Sequence, residues 1–139
     1  STINNNLNAT FYSNKFFIDN FCLNEVINDE KLIINFSSVN SKGVLGQAAY
    51  SASKSAIETF SKVLSQELGF LKIRVACIAP GYFDLASTNK NLSKNNKTSI
   101  INETPLRRFG AIQELIKAIN FIISNKFFTG KTLKIDGGL

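Results

Sequence analysis

Two side chains in the stretch YSASK, residues 50 to 54, are of the types that move protons beside a carbonyl group. Tyr50 carries a phenol and Lys54 an ammonium, and a spacing of four residues places both on one face of a helix. An adjacent ammonium favours the phenolate form of a tyrosine, so the phenol exchanges its proton more readily near neutral pH. The spacing therefore indicates a candidate acid–base centre.

The pair alone is weak evidence, because the chain has 3 Tyr and 16 Lys plus Arg. A Tyr followed four residues later by a basic residue occurs by accident in about one chain in three of this composition. Each of the other polar residues, taken alone, also has an ordinary structural explanation. Ser38 could satisfy a nearby backbone group, Asn6 is one of many Asn residues, and Pro80-Gly81 is a common turn. Only a joint arrangement of these residues indicates a site.

The composition of the chain excludes several other kinds of functional site. The chain of 139 residues contains no His, which excludes Ser/His/Asp and Cys/His catalysis and the commonest metal ligand, so no metal site is expected. The net charge of +6 is scattered, and the densest basic segment, 89–99, has no interleaved aromatics, so no nucleic-acid partner is expected. Cys22 and Cys77 have apolar neighbours, which is typical of buried thiols.

No apolar run approaches the length that spans a bilayer, and the polar start of the chain does not resemble a signal peptide. We therefore expect a cytoplasmic protein without a membrane partner. A content of 44% hydrophobic residues is enough for one domain with a modest core.

Hydrophobic periodicity along the chain alternates between helical and strand patterns. Short apolar runs predict buried strands, and longer segments with apolar residues every three to five positions predict helices. Helices are predicted at 8–27, 49–68 and 111–124, and strands at 31–36, 72–80 and 131–136. This alternation predicts an α/β fold, a doubly wound parallel sheet with helices on both faces.

Two segments carry further structural expectations. The buried stripe of helix 49–68 is expected to contain Ala52, Ala56, Ile57, Phe60, Val63, Leu64 and Leu68. Segment 81–105 is long and polar, which predicts an irregular loop, and residues 84–105 are expected to form a lid that selects the substrate.

The predicted topology gives the candidate residues a common location. In open parallel α/β sheets, ligands bind beyond the carboxyl ends of the strands. Ser38 lies just past the first strand, Tyr50 and Lys54 begin the next helix, and Pro80-Gly81 follows the second strand. A hydroxyl, a phenol, an ammonium and a tight turn are therefore expected at one edge, where they could polarise a carbonyl and transfer a proton.

With these residues in place, the chain resembles the short-chain dehydrogenase/reductase family. The resemblance is carried by Asn6 in NNLNATF, Ser38 in INFSSV, Tyr50 and Lys54 in YSASK, and the Pro-Gly pair in IAPGYF. The stretches GQAAYSASKSAIETFSKVLSQEL and FTGKTLKIDGG are similar to the branch that contains the 3-oxoacyl-[acyl-carrier-protein] reductases. The resemblance implies a Rossmann-like domain, of which residues 1–139 are the C-terminal catalytic half.

The resemblance also implies a role for each residue. Tyr50 is expected to act as acid in ketone reduction and as base in alcohol oxidation, with Ser38 stabilising the substrate oxygen. Lys54 is expected to hold the cofactor ribose as well as to assist the phenol, and Asn6 to position a water. The implied cofactor is NADP or NAD. The residues expected to contact it are Tyr50, Lys54, Pro80, Gly81 and Phe83.

The implied activity is hydride transfer between a nicotinamide cofactor and a carbonyl/alcohol substrate. A 3-oxoacyl thioester is the leading substrate, with an acyl-carrier-protein thioester as one form of it, and a sugar or small ketone is the alternative. A homodimer or homotetramer is expected, because helix 49–68 resembles the helix with which relatives pair subunits. The chain starts at Ser1 without Met, which suggests the later part of a longer protein; a non-catalytic remnant or partner subunit is the competing hypothesis.

Overall fold

The computed structural model describes residues 1–22, 30–85 and 92–139. These residues form the strands β1 (Lys31–Phe36), β2 (Ile73–Pro80) and β3 (Thr132–Ile135) and the helices α1 (Ala9–Phe21), α2 (Ala48–Leu68), α3 (Lys94–Glu103) and α4 (Ile112–Ser124). A π-helical turn precedes α1, and 3-10 turns follow β1 and α2; they span Asn4–Asn8, Val39–Lys42 and Gly69–Leu71. Each predicted strand is present, with ends within one residue of the predicted ones.

The three strands form one parallel sheet in the order β1-β2-β3. Lys31 is in register with Ile73 at the start of the β1–β2 pair, and Pro80 with Ile135 at the end of the β2–β3 pair. The central strand β2 is buried along nearly its whole length, as its run of apolar residues requires in a sheet covered on both faces.

Alternate side chains of β2 enter two separate apolar clusters, because neighbouring residues of a strand point to opposite faces. Ile73 and Val75 pack with α1 and α2, in the cluster Cys22, Ile33, Leu64, Leu68, Ile73 and Val75. Ala76 and Ile78 pack with α4, in the cluster Ala76, Ile78, Ala118 and Ile122. Helices therefore cover both faces of the parallel sheet, which confirms the predicted doubly wound α/β fold.

The buried face of α2 differs from the predicted apolar stripe. Ile57, Leu64 and Leu68 are buried as predicted, but Ala52 and Val63 are exposed. Small hydroxyl residues take their place against the sheet, namely Ser51, Ser53, Ser61 and Ser65. Their hydroxyls can be buried because they are paired: Ser53, Ser61 and Ser65 donate to backbone carbonyls of the same helix, and Ser51 accepts from the Val44 N–H. Apolar periodicity alone cannot detect such a face.

The polar segment after β2 contains a helix, so the prediction of an irregular loop over 81–105 is wrong for its second part. Helix α3 begins after Ser93, whose hydroxyl accepts a hydrogen bond from the Asn96 backbone N–H at 3.2 Å. That N-cap stabilises a sequence whose many Asn residues have low helix propensity. Residues 86–91 of the expected lid lie outside the described residues, as do residues 23–27 of predicted helix 8–27.

Cys22 and Cys77 are both buried, and neither is part of a disulfide, as predicted. Among the helices of the described residues, none is long and apolar enough to cross a membrane.

Candidate active site

Ser38 lies just past the carboxyl end of β1 and caps the 3-10 turn Val39–Lys42. The side chain is 9% exposed, and its oxygen accepts a hydrogen bond from the Asn40 backbone N–H at 3.2 Å. Because that contact uses an oxygen lone pair, the Ser38 hydroxyl hydrogen remains available to donate to a ligand. The residue is held in the orientation that a donor to a carbonyl oxygen requires.

Tyr50 and Lys54 lie in the first two turns of α2, on the same face. The Lys54 ammonium is 5.8 Å from the centre of the Tyr50 ring, within the range of a cation–π interaction. The Tyr50 hydroxyl has no hydrogen-bond partner among the described residues, so it can bind a substrate oxygen. The first turns of α2 are fixed to the end of β1 by the Ser37 hydroxyl, which lies 3.0 Å from the Lys54 carbonyl oxygen.

Lys54 is half-buried between α2 and the end of β1, and its ammonium donates to the Phe36 carbonyl at 3.0 Å. Burial lowers the pKa of Lys54 below the ordinary lysine value, and the neighbouring Cys77 opposes part of that shift. The thiol itself is buried, which raises the pKa of Cys77 and keeps it neutral near pH 7. Lys54 is therefore a positioned cation in a partly desolvated environment.

Asn6 lies in the π-helical turn before α1, and its side-chain amide donates to the Ser53 hydroxyl at 3.1 Å. Asn6 and Lys54 line the same cavity, which also borders Phe36 and the first turn of α1. A π-helical turn widens the backbone locally and is common at functional sites. The structure thus brings Asn6 to the Lys54 side of the site, away from the cleft that holds Ser38.

Ser38, Tyr50 and Gly81 line one open cleft of about 680 Å³ at the carboxyl edge of the sheet. Residues of α3 close its far side. The described lining is Ser38, Val39, Asn40, Gln47, Tyr50, Gly81, Tyr82, Leu92, Asn96, Ser99 and Ile100. The cleft therefore lies where the topology predicted it, between the ends of β1 and β2.

The three residues expected after β2 are placed differently from one another. Pro80 ends β2, and the Gly81 N–H donates to the Ile135 carbonyl at 2.8 Å. A Cβ on Gly81 would lie 2.7 Å from the Asp136 Cα, so only glycine allows this approach between β2 and β3. Phe83 is 5% exposed and lines a smaller cavity of about 100 Å³ rather than the cleft.

Asn40, Gln47 and Tyr82 are cleft residues that the sequence patterns did not identify. Each comes from a segment next to a recognised motif, but nothing in the type or spacing of these three residues marks them as a group. Asn96 and Ser99 were missed because α3 was assigned to a loop. The Ser93 N-cap three residues before Asn96 was the signal for that helix.

The residues at this edge fit the nicotinamide end of a dinucleotide cofactor by the chemistry of their donors. An ammonium has three N–H donors, and among the described residues Lys54 hydrogen-bonds only to Phe36. Two donors are left for the hydroxyl groups of a ribose. The open cleft beside Tyr50 and Gly81 leaves room for a flat ring next to the phenol.

The fold and this site together define a class of protein. A family model described as "Enoyl-(Acyl carrier protein) reductase" matches residues 2–139, and the chain belongs to the short-chain dehydrogenase/reductase family.

The curated relatives that the chain resembles include 3-oxoacyl-[acyl-carrier-protein] reductases. The chain is 44% identical over 110 residues to the 3-oxoacyl-[acyl-carrier-protein] reductase FabG of Chlamydia muridarum, an alignment that covers 77% of this chain and 44% of the relative. It is 36% identical over 141 residues to the FabG of Buchnera aphidicola subsp. Baizongia pistaciae, with 100% and 56% covered. The chain thus spans about half the length of these relatives.

Solved structures with the same fold include dehydrogenases. One is a 4-hydroxyisoleucine dehydrogenase mutant complexed with NADH and succinate, with a TM-score of 0.86 and 30% identity over 98% of this chain and 56% of the other. Another is a glucose/ribitol dehydrogenase from Brucella melitensis, with a TM-score of 0.79 and 29% identity over 96% and 52%.

Proposed function

We propose that this chain is the catalytic part of an NAD(P)-dependent oxidoreductase that reduces the 3-oxo group of an acyl thioester. The observation that carries the proposal is the cleft in which Ser38 and Tyr50 meet, with Lys54 one helical turn behind the phenol. The names of its FabG relatives supply the acyl thioester as the leading substrate.

Each residue has a defined part in that reaction. The Ser38 and Tyr50 hydroxyls donate to the oxygen of the reacting carbonyl, and both bonds strengthen as negative charge develops there. Tyr50 then transfers its proton to that oxygen, which completes the alcohol. The Lys54 ammonium stabilises the phenolate that Tyr50 becomes. In alcohol oxidation the same groups act in reverse, with Tyr50 as base.

The nicotinamide cofactor, NADP or NAD, supplies the hydride that adds to the carbonyl carbon and is oxidised in doing so. Lys54 is proposed to bind its ribose hydroxyls, and Pro80 and Gly81 to border its nicotinamide end together with Tyr50, whereas the Phe83 side chain lines the smaller cavity. Asn6 is proposed to hold a water in the cavity that it shares with Lys54, through which Tyr50 is reprotonated from solvent. The acyl group is proposed to arrive on an acyl-carrier protein.

A sugar or small ketone is the second candidate substrate. The described cleft lining is rich in amide and hydroxyl side chains, and a glucose/ribitol dehydrogenase has the same fold. Kinetic comparison of a 3-oxoacyl thioester with polyols and simple ketones distinguishes the two candidates.

We further propose a homodimer or homotetramer in the cytoplasm. Large apolar side chains are exposed on the outer side of α1 and α2, among them Phe11, Tyr12, Phe16 and Val63. Apolar surface of this size commonly forms interfaces between subunits.

The test is oxidation of NADPH and of NADH by the protein as its source produces it, with an acetoacetyl thioester as substrate. Tyr50→Phe removes only the hydroxyl, and we expect it to lower kcat/KM by roughly 10²- to 10⁴-fold because general-acid transfer is lost. Tyr12→Phe is the matched control, since Tyr12 is exposed on α1 outside the cleft.

Equal activity of the Tyr50→Phe and Tyr12→Phe proteins would refute the proposed function. The intact mass of the natural protein separates the enzyme from the competing hypothesis of a non-catalytic remnant. A mass of about 25 to 28 kDa is expected for a complete enzyme of this family, whereas a mass near 15.3 kDa would favour the remnant.

A further inference from the structure

We infer that the bend at residues 136–138, directly after β3, positions the substrate by fixing the helix that forms the far wall of the cleft. The inference rests on the proposed reductase function. It gives a part in substrate binding to Gly137 and Gly138, which themselves do not line the cleft.

Helix α3 supplies a wall of the cleft but packs only weakly against the rest of the molecule. Asn96, Ser99 and Ile100 of α3 line the cleft. No residue of α3 is fully buried, whereas α2 and α4 bury side chains against the sheet. Most of the stability of a helix in a protein comes from the face that it buries. The position of α3 therefore depends on how its ends are held.

The C-terminal end of α3 is held by Thr104, which is 3% exposed. The Thr104 hydroxyl donates to the Ile100 carbonyl at 2.8 Å, and the Thr104 backbone N–H donates to the same carbonyl at 2.9 Å. The methyl group of Thr104 lies against Gly137, where an added Cβ would be 2.8 Å from the methyl carbon. The Leu106 N–H also donates to the Gly137 carbonyl at 3.2 Å. The end of α3 thus packs directly against the backbone of Gly137.

This contact requires two residues without side chains. Gly137 and Gly138 have φ angles of +70° and +99°, which L side chains rarely adopt. A Cβ on Gly138 would also lie 3.0 Å from the Pro105 Cγ. The Asp136 carboxylate accepts from the Gly138 N–H at 2.9 Å and holds the bend in this shape. Both the space and the backbone conformation of the bend therefore fit the segment that ends α3.

The bend is fixed to the sheet, and the reacting groups are held elsewhere. Ile135 ends β3 and accepts from the Gly81 N–H at 2.8 Å. Ser38 and Tyr50 lie after β1 and on α2, where the Asn40 N–H orients Ser38 and no contact involves the bend. A change in the bend should therefore move the part of α3 that lines the cleft and leave the reacting groups in place.

The experiment substitutes Gly137 and observes α3 as well as catalysis. Gly137→Ala places a methyl group against Thr104 and forces a φ angle that alanine disfavours. We expect the α3 amides to exchange hydrogen about tenfold faster than in the natural protein, because a helix that is held less firmly opens more often. The KM for an acetoacetyl thioester is expected to rise roughly five- to tenfold, with a smaller change in kcat and an unchanged Kd for NADPH or NADH.

A compensating variant and a control separate positioning from a general loss of stability. Adding Thr104→Ser to Gly137→Ala removes the methyl carbon that the alanine meets and keeps the hydroxyl, so we expect it to restore part of the natural KM. Gly130→Ala is the matched control, since Gly130 also has a positive φ, +65°, and its Cβ would meet Ser65 on α2. We expect this variant to lose stability in urea while the exchange of α3 and the KM stay natural.

Three outcomes would count against the inference. Natural exchange rates of the α3 amides in the Gly137→Ala protein would overturn the contact between the bend and α3. Faster exchange with an unchanged KM, or an equal rise in KM in the Gly130→Ala protein, would overturn its part in substrate binding. If the natural protein reduces no ketone, the reductase function fails, but the exchange measurement still tests the contact, so the two failures are distinguishable.

Discussion

At the scale of single residues, the candidate site depends on what each polar group is already bonded to. Ser38 accepts from the Asn40 N–H and keeps its hydrogen for a ligand, whereas the Tyr50 hydroxyl has no partner in the described part of the chain. Lys54 is anchored by the Phe36 carbonyl and still has N–H groups to donate. The three groups are therefore positioned before any ligand binds, which lowers the cost of binding and of charge development.

Lys54 should lose its proton at a lower pH than an ordinary lysine, whose pKa is 10.5, because burial disfavours its charged form. We expect the ¹³Cε resonance of Lys54, assigned by its loss in Lys54→Arg, to titrate below that value. Titration of Lys54 at 10.5 or above would contradict the prediction.

At the scale of elements, a buried polar network holds α1, β1 and α2 together. The side chains of Asn14 on α1 and Asn35 on β1 exchange hydrogen bonds at 2.9 and 3.2 Å, and Asn35 also donates to Ser61 on α2 at 3.0 Å. All three are buried, and no buried side-chain polar atom in the described residues lacks a partner. Such a network fixes relative positions because any shift leaves buried groups unpaired.

Asn35→Ala removes the centre of that network and leaves the Asn14 side-chain oxygen unpaired, whereas Ser61 keeps its bond to the Ile57 carbonyl. We expect a loss of roughly 1–3 kcal/mol in the free energy of unfolding, the usual cost of unsatisfied buried polar groups. Urea denaturation measures it. Asn20→Ala is the control, since Asn20 is exposed on α1, and an equal effect of the two substitutions would argue against the network.

The start of α4 depends on an ionised carboxylate. Glu114 accepts from the Ala111 backbone N–H at 2.7 Å and binds both terminal nitrogens of Arg108 at 2.7 Å. The pKa of Glu114 is lowered from 4.5 to about 2. The hydrogen bond from Arg108 is the largest cause of this shift, and the hydrogen bond from the Ala111 N–H is the next. The carboxylate is exposed, so salt should weaken the contribution of the Glu114–Arg108 pair to the stability of the fold.

The lowered pKa of Glu114 determines how the stability of the fold changes with pH. A carboxyl whose pKa is lower in the folded state stabilises the fold above its ordinary pKa, and the contribution is lost as pH falls from about 4.5 to about 2. Glu114→Gln cannot titrate, so we expect its Tm to fall less steeply over that range than the Tm of the natural protein. Glu67→Gln, at an exposed carboxylate on α2, should keep the natural slope; an identical slope for Glu114→Gln would refute the pairing.

At the scale of the whole molecule, the sequence predicts most of what regular periodicity encodes. The three strands and the extents of α2 and α4 follow from apolar periodicity, and the edge location of Ser38, Tyr50 and Lys54 follows from the parallel topology. What the patterns could not predict depends on contacts between distant segments. The hydroxyl-lined face of α2 and the Asn40 contacts to Gln47 and Tyr82 are of this kind. Helix α3 was missed because its start is marked by an N-cap, at Ser93, rather than by helix propensity or an apolar stripe.

The outer side of α1 and α2 carries the last prediction, because it exposes several aromatic residues. Tyr12 and Phe16 lie one turn apart on α1 and are 65% and 62% exposed, and the Phe11 ring is 5.7 Å from that of Phe60 on α2. If two copies of the protein pair through this face, Phe16→Glu places a charge in the interface and should halve the mass measured by light scattering. Phe70→Glu, at an exposed aromatic beyond the end of α2, should leave the mass unchanged. A Phe16→Glu protein that keeps the natural mass would contradict pairing through this face.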